Sequence, residues 1–227
     1  MEKAAIILAG GFSKRFGQDK GLVKLAGKPL VLHVFEKTKM IVDEILVIVS
    51  SKKQKEAYSR YIPEKNRIII DNGKVGGPLI GALTGFSNTS AEFSLLLPCD
   101  TPFISTKVIE LLFETCVNVD ACIPRWPNDN MEPLQAVYRT ESALKASKQA
   151  LEQSEMRLLN MIQRQKRVRY LSTTVIQQFD PYLITFFNIN TKKDLSRASK
   201  LAQDGVVKDF EHLLDKKSLL FWPQKIF

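Results

Sequence analysis

The sequence predicts an α/β fold: one domain with a mostly parallel central sheet flanked by helices. Continuous apolar runs of strand length recur along the chain, as in "KAAIILA" (3–9) and "EILVIVS" (44–50), which is typical of strands buried on both faces. Segments with apolar residues at helical spacing separate these runs, and such alternation indicates βαβ units with right-handed crossovers. The 227 residues, 44% of them hydrophobic, are enough to bury one large core.

The predicted elements alternate in order along the chain. A helix begins near Pro29, a residue suited to a first helical turn, and Ser105 is a candidate N-cap of a later helix. Strands are expected at 3–9, 44–50, 67–71, 93–100, 167–173 and 183–187, and the segments 120–124 and 134–139 bracket a turn-rich loop. Helices are expected at 29–40, 51–60, 77–88, 105–116, 141–151, 155–163 and 191–203. We therefore predict a domain over 1–203 and a C-terminal extension, helical or aromatic, over 204–227.

Composition narrows the class of protein. The net charge of +9, from 33 Lys and Arg against 24 Asp and Glu, favours anionic partners. The three cysteines, Cys99, Cys116 and Cys122, lack metal-ligand spacing and are expected to be reduced, buried thiols of a cytoplasmic protein. No apolar run reaches about 18 residues and no secretory segment is evident, so neither a membrane span nor a membrane partner is expected.

The stretch "LAGGFSKRFGQDKG" (8–21) follows the first strand directly. In doubly wound sheets, ligands bind beyond the carboxyl ends of the strands. Gly10 and Gly11 allow the backbone to approach a phosphate closely, and Arg15 and Lys20 supply positive charge. The spacing fits neither a P-loop nor a Rossmann fingerprint. We predict a loop that binds a triphosphate, with Lys20 as an isolated cation; a simple strand-to-helix turn is the alternative.

Acidic and amide side chains follow other predicted strands. Asp71 and Asp100 end the third and fourth strands, at the edge where the glycine loop lies. The strand before Asp100 is too apolar to leave a carboxylate unpaired, so Asp100 needs either a cation or backbone N–H groups, as in a helix N-cap. Asp-Asn-Gly at Asp71 equally describes a tight turn. Asn188 and Asn190 alternate and share a face, but they could instead cap the following helix.

Several motifs together resemble a known family. The first segment resembles the signature of nucleotidyltransferases with a glycosyltransferase-A-like fold, a single Rossmann-like domain, and the set is most similar to the molybdenum cofactor guanylyltransferases. The resemblance covers roughly residues 3–200. It is carried by "LAGGFSKRFGQDKGLVKLAGKPL" (8–30), "DNGKVGGPLIG" (71–81), "LLLPCDTPFI" (95–104), "EPLQAVYR" (132–139) and "FFNINTKKDL" (186–195).

The resemblance implies roles for individual residues. Arg15, Lys20 and Asp100 would be catalytic, and Asp100 would hold Mg²⁺. Nucleotide contacts would come from Leu8, Ala9, Gly10, Gly11, Lys20, Asp71 and Asp100. The acceptor side would be formed by Gly77, Pro78, Arg157, Asn188 and Asn190. The family often has an asparagine at the end of the second strand; here the chain reads "VIVSSKK", so Ser50 or Ser51 must substitute.

The implied reaction is transfer of GMP from GTP to molybdopterin, with release of pyrophosphate. The attacking phosphate oxygen is already anionic, so the difficulty is charge repulsion, which Mg²⁺, Lys20 and Arg15 would relieve. GTP, molybdopterin and proteins that handle the molybdenum cofactor are the expected partners, without nucleic acid, for a monomer or weak homo-oligomer. Trp126, in the loop "RWPNDNMEP", is a candidate to stack on the pterin.

Other functions remain open from the sequence. A cytidylyltransferase or a sugar-1-phosphate nucleotidyltransferase would share the fold, although the latter usually has a second metal-binding acid where this chain has "FFNINTKKDL". A nucleic-acid-binding protein would be expected to interleave aromatic residues with a basic stripe, and this sequence has no such pattern.

Overall fold

The structure is a computed structural model that describes residues 2–10, 12–13, 16–63, 67–71 and 76–203. The predictions for Gly11, for Arg15 and for the extension 204–227 lie outside the described residues.

The elements alternate as the sequence predicts. The strands are β1 Lys3–Leu8, β2 Phe12–Ser13, β3 Gln18–Asp19, β4 Lys24–Leu25, β5 Lys28–Pro29, β6 Glu44–Val49, β7 Arg67–Ile70, β8 Phe93–Pro98, β9 Ala121–Arg125, β10 Ala136–Arg139 and β11 Val168–Ser172. The helices are α1 Leu30–Thr38, α2 Lys52–Tyr58, α3 Pro78–Phe86, α4 Thr106–Thr115, α5 Thr140–Glu152, α6 Leu158–Gln163, α7 Thr173–Ile176 and α8 Lys192–Gln203. Short 3-10 helices lie at Lys20–Leu22 and Ile184–Phe186.

The central sheet has seven strands in the order β11-β9-β10-β8-β1-β6-β7 among the described residues. Strands β8, β1, β6 and β7 are parallel neighbours, and β11 is parallel to β9. Only β10 runs against its neighbours, β8 and β9. The predicted α/β fold with a mostly parallel sheet is therefore confirmed. Its carboxyl edge gathers the ends of β1, β6, β7 and β8.

Apolar side chains cover both faces of this sheet. Along β1, Ala5 and Ile7 pack under α1 and α4, whereas Ala4 and Ile6 pack under α3, α5 and α6. All four side chains are fully buried. A strand with both faces covered cannot alternate polar and apolar residues, and full burial of each large aliphatic side chain is worth about 1.5–3 kcal/mol. This double burial explains the continuous apolar runs.

The prediction of a strand at 183–187 is wrong. Leu183 has a left-handed backbone (φ 52°), and a 3-10 helix follows over Ile184–Phe186. The buried Asp180 carboxylate accepts the Thr185 amide N–H at 2.7 Å, which fixes this turn. Phe186 and Phe187 are buried, so the apolar run reflects packing rather than extended backbone. In the described part of the chain, no helix is long and apolar enough to cross a membrane.

Candidate active site

Three of the predicted site residues meet at the carboxyl edge of the sheet. Asp100 follows β8, and the Lys20 ammonium group donates hydrogen bonds to its carboxylate and, at 2.5 Å, to Asn190 Oδ1. The Ile189 amide also donates to the Asp100 carbonyl at 3.0 Å, which holds the segment before α8 against the end of β8. Asp100 and Asn190, which follow Lys20 by 80 and 170 positions in the chain, thus both contact its ammonium group.

Only one of the two Asp100 carboxylate oxygens has a hydrogen-bond partner among the described residues. The residue is 7% exposed, and its Oδ1 atom is buried without a hydrogen-bond partner in the described structure. A buried, unpaired carboxylate oxygen costs free energy unless a cation or donor reaches it. Mg²⁺ prefers oxygen ligands and uses few carboxylates when phosphates and water complete its shell, so Asp100 fits such an ion. Among the described residues no group of three or more acidic, histidine or cysteine side chains forms a metal cluster.

The alternative in which Asp100 caps a helix is wrong. Helix α4 begins at Thr106, and the Ser105 hydroxyl accepts the Val108 amide N–H, as the candidate N-cap predicted. Cys99, Cys116 and Cys122 form no disulfide and are buried, which confirms their predicted burial. Burial, and secondarily the Asp100 charge, raises the pKa of the Cys99 thiol, so this neighbour of Asp100 stays protonated and uncharged.

The expectation that Lys20 is an isolated loop cation is also wrong. Its side chain is 19% exposed and pairs with an Asp100 side chain that is 10% exposed. A pair buried to this extent loses much of its hydration, unlike an exposed surface pair. Removing Lys20 therefore has a structural consequence as well as a functional one.

The backbone after β1 is anchored to the neighbouring strands. The Cys99 amide donates to the Leu8 carbonyl at 3.1 Å, and the Ala9 amide donates to the Ile48 carbonyl at 2.8 Å. The Ser50 hydroxyl donates to the Gly10 carbonyl at 2.6 Å, and a Cβ on Gly10 would lie 2.3 Å from that hydroxyl. A side chain at position 10 would displace the Ser50 hydroxyl, so glycine preserves this contact. Of the two serines offered as substitutes, Ser50 contacts the glycine loop.

Asp71, Gly77 and Pro78 lie where β7 passes to α3 at the same edge. The Asp71 amide donates to the Val49 carbonyl at 2.7 Å, and its carboxylate accepts the Thr84 hydroxyl at 3.4 Å. The tight-turn alternative for Asp71 falls on residues 72–75, outside the described part of the chain. Gly77, with φ 150°, precedes Pro78 at the first position of α3, and both are exposed.

The asparagines do not supply the side-chain cap of α8. Thr191 and Asp194 form that cap: the Asp194 carboxylate accepts the Thr191 amide at 2.8 Å, and the Thr191 hydroxyl accepts the Asp194 amide at 3.1 Å. The Asn190 side chain is therefore available to Lys20. Asn188 donates instead to the Phe186 carbonyl at 3.2 Å. Arg157 is exposed before α6, and no hydrogen bond or ion pair joins its side chain to another described residue.

The β9–β10 loop places an aromatic ring and a partly buried acid near this edge. Trp126 packs at a tilt against Phe186, with ring centroids 5.5 Å apart, and donates its indole N–H to Glu132 at 2.8 Å. Burial raises the pKa of Glu132 to about 7 despite that hydrogen bond. Sequence reasoning named Trp126 but missed Glu132, which lay within the quoted "EPLQAVYR" motif.

The chain matches a known protein family over most of its length. Residues 5–168 match the model of the MobA-like NTP transferase domain. The chain belongs to this family. It is a nucleotidyltransferase, and the resemblance inferred from the motifs is confirmed.

Similar proteins cover nearly the whole chain. A probable molybdenum cofactor guanylyltransferase of Methanosarcina mazei is 32% identical over 209 residues, 90% of this chain and 93% of that protein. One from Natranaerobius thermophilus is 34% identical over 87% of this chain and 95% of its own. The crystal structure of molybdopterin-guanine dinucleotide biosynthesis protein A from Archaeoglobus fulgidus has a TM-score of 0.76 at 31% identity, and the match covers 89% of this chain and 99% of that one.

Proposed function

We propose that this protein transfers GMP from GTP to the terminal phosphate of molybdenum-molybdopterin cofactor, forming the guanine dinucleotide cofactor and pyrophosphate. The observation that carries the proposal is the cluster of Lys20, Asp100 and Asn190 at the carboxyl edge of the sheet. Family membership supports a nucleotidyl transfer, and relatives similar over most of the chain are named for the guanylyl reaction.

In this proposal Lys20 binds the phosphates of GTP. Its ammonium group already lies against a carboxylate and an amide oxygen, so phosphate oxygens present the same kind of acceptor. Arg15, from the same glycine-rich segment, adds a second positive charge. Asp100 would hold Mg²⁺ through its unpaired Oδ1 atom. When bound, the ion would neutralise charge on the triphosphate.

The protein's contribution to the chemistry is positioning and charge. The acceptor phosphate is already a nucleophile, so no side chain has to remove a proton from it. The chain must align an acceptor oxygen with the α-phosphorus and stabilise charge that develops on departing pyrophosphate. Lys20 lies on the nucleotide side of the cluster. Asn190, with Asn188, Arg157, Gly77 and Pro78, would face the acceptor.

Guanine recognition is assigned to Leu8, Ala9 and Gly10 with Asp71. The loop backbone is held by Cys99, Ile48 and Ser50, so its remaining polar groups have a defined orientation. A rigid arrangement of donors and acceptors binds its base more tightly than a mobile one, because less entropy is lost on binding, and it cannot rearrange to pair with a different base. Ser50, at the strand end where the family often has an asparagine, anchors the Gly10 carbonyl.

A thermal-shift panel of GTP, CTP, UTP and ATP, each with and without Mg²⁺, tests the nucleotide assignment. We expect the largest stabilisation from GTP with Mg²⁺, about 2.7 kcal/mol at a concentration of 100 Kd. Equal shifts for the four nucleotides would remove guanine selectivity and leave a general triphosphate site. A preference for CTP would favour cytidylyl transfer. Formation of the guanine dinucleotide from GTP and molybdenum-molybdopterin, followed by chromatography, tests the acceptor.

A further inference from the structure

A second group of polar side chains lies directly behind Lys20. Asp19 accepts three hydrogen bonds: from the Gly21 amide at 3.1 Å and the Tyr58 hydroxyl at 2.6 Å on Oδ1, and from Gln54 Nε2 at 2.6 Å on Oδ2. Both carboxylate oxygens are thus occupied by donors from helix α2 and from the loop itself. No role for Asp19, Gln54 or Tyr58 followed from the sequence motifs.

The donors to Asp19 are themselves fixed in place. Tyr58 is fully buried in the core. Gln54 uses its other side-chain atom, Oε1, to accept the Ser50 amide N–H at 2.7 Å. Because the Ser50 hydroxyl also donates to the Gly10 carbonyl, one chain of hydrogen bonds runs from the glycine loop through Ser50 and Gln54 to Asp19. The two nucleotide-binding segments of the proposed function are therefore joined through α2.

Close packing leaves this arrangement little freedom. A Cβ on Gly21 would lie 2.2 Å from the Tyr58 hydroxyl and 3.2 Å from Cys99 Sγ. Only glycine lets the backbone after Lys20 approach Tyr58 so closely. Asp19 also caps the 3-10 helix that begins at Lys20, so the direction in which Lys20 leaves the backbone depends on the position of the Asp19 carboxylate.

We propose that Asp19, held by Gln54 and Tyr58, is a positioning residue that sets Lys20 in the nucleotide site. The inference rests on the proposed function only in taking Lys20 as the phosphate-binding cation. A long lysine side chain loses considerable rotamer entropy when it is held in one place. Because Asp19 fixes the backbone before Lys20, the lysine loses less entropy when the triphosphate binds.

The polarity of the Asp19–Gln54 bond permits a swap experiment. In Asp19→Asn alone, an NH₂ group would face the NH₂ group of Gln54, and the hydrogen bond is lost. In Gln54→Glu alone, a carboxylate would face the Asp19 carboxylate, and the bond is lost in the same way. The double variant restores one amide–carboxylate bond with reversed direction: Asn donates to Glu, and Glu retains an oxygen for the Ser50 amide. Asp43→Asn is the matched control, because Asp43 accepts a backbone amide at the opposite edge of the sheet.

The measurements are GTP affinity by calorimetry with Mg²⁺, the rate of GMP transfer and the melting temperature. We expect each single variant to bind GTP about tenfold more weakly, consistent with loss of one partly buried, charge-assisted bond. The double variant should return to within about threefold of wild type, as coupled residues do in a double-mutant cycle. Asp43→Asn should bind GTP as wild type does. If the single variants fail to fold, Tyr58→Phe, which removes one donor and keeps the core volume, should weaken GTP binding in the same way.

Two results would overturn the positioning role. One is a lower melting temperature in the single variants with unchanged GTP affinity, since that would make Asp19 purely structural. The other is a double variant that folds but binds GTP no better than either single variant. Failure of the proposed function looks different: wild-type protein would bind GTP and respond to the swap, yet transfer no GMP to the molybdenum cofactor.

Discussion

The two edges of the central sheet carry charges in different environments. At the amino edge, the Lys3 amide donates to Asp43 at 2.8 Å, and Arg67 pairs with Glu44 at 3.3 Å with side chains 50% and 33% exposed. At the carboxyl edge, Lys20 and Asp100 are 19% and 10% exposed, and one Asp100 oxygen has no hydrogen-bond partner among the described residues.

The difference in exposure distinguishes ordinary surface charges, at the amino edge, from charges arranged for a ligand, at the carboxyl edge. Exposed ion pairs contribute little to stability because water screens them and the side chains lose entropy. A largely buried pair with an unsatisfied oxygen stabilises a fold poorly, since desolvation offsets the attraction. The Lys20–Asp100 pair at the carboxyl edge therefore indicates a functional role rather than a role in stabilising the fold. Substitutions at each edge of the sheet test this asymmetry.

The largest effect is expected from Asp100→Asn. The asparagine keeps the shape of the side chain but removes the charge that a hard cation requires, so we expect a loss of about a thousandfold in Mg²⁺-dependent GMP transfer. Loss of the charge opposite Lys20 should also lower the melting temperature without ligand, but by less than Lys20→Ala does, because the asparagine oxygen still accepts a hydrogen bond from Lys20. Turnover of both proteins across a Mg²⁺ titration is the measurement, and Asp43→Asn serves as the control. Wild-type turnover of the variant at low Mg²⁺ would place the metal elsewhere, with Asp71 the first residue to examine.

Lys20→Ala should affect binding and stability together. Loss of charged hydrogen bonds to phosphate should weaken GTP binding by about tenfold to a hundredfold. The Asp100 carboxylate then loses its cation, and we expect about 2 kcal/mol of destabilisation, less than the 3–5 kcal/mol of a fully buried pair because part of the site is exposed. Calorimetry and urea unfolding in EDTA measure the two effects. A variant as stable as wild type would show that water solvates Asp100 adequately.

Glu132 should make stability depend on pH. Its pKa is raised to about 7 by burial, above the ordinary 4.5, so the folded state holds its proton more tightly than the unfolded state. Stability contributed by the protonated acid is complete below about pH 4.5 and is lost as pH rises through 7. Relative to Glu132→Gln, which keeps an acceptor for Trp126, wild type should lose about 2 kcal/mol between pH 5 and 8. Parallel pH profiles of urea-unfolding free energies for the two proteins would exclude this assignment.

The smallest effect is expected at the amino edge. Glu44→Gln removes the charge that faces Arg67 but keeps an acceptor for the Thr89 hydroxyl. We expect less than about 1 kcal/mol of destabilisation and unchanged GTP affinity, because the pair is exposed. Urea unfolding and calorimetry measure both. A large loss of transfer activity in this variant would contradict the functional difference between the two edges.

Much of the fold could be predicted because hydrophobic periodicity is local. Strand β1 and helix α4 lie where apolar runs and the Ser105 cap indicated them. The segment 183–187 shows the limit of that signal. Its apolar residues suit a strand, but a left-handed Leu183 and the buried Asp180 turn it into a 3-10 helix. An apolar run predicts that a segment is buried, but it does not predict which backbone conformation the segment adopts.

The sequence by itself determined the family and singled out Lys20 and Asp100 as candidate site residues, because motif spacing can be read directly along the chain. Only the tertiary structure decided how they are held. It brought Asn190 to Lys20 across 170 positions, made Ser50 rather than Ser51 the partner of the glycine loop, and revealed Asp19 behind the lysine. These contacts depend on which strands are neighbours in the sheet. Strand order is set by the burial of the whole core, which no short stretch of sequence encodes.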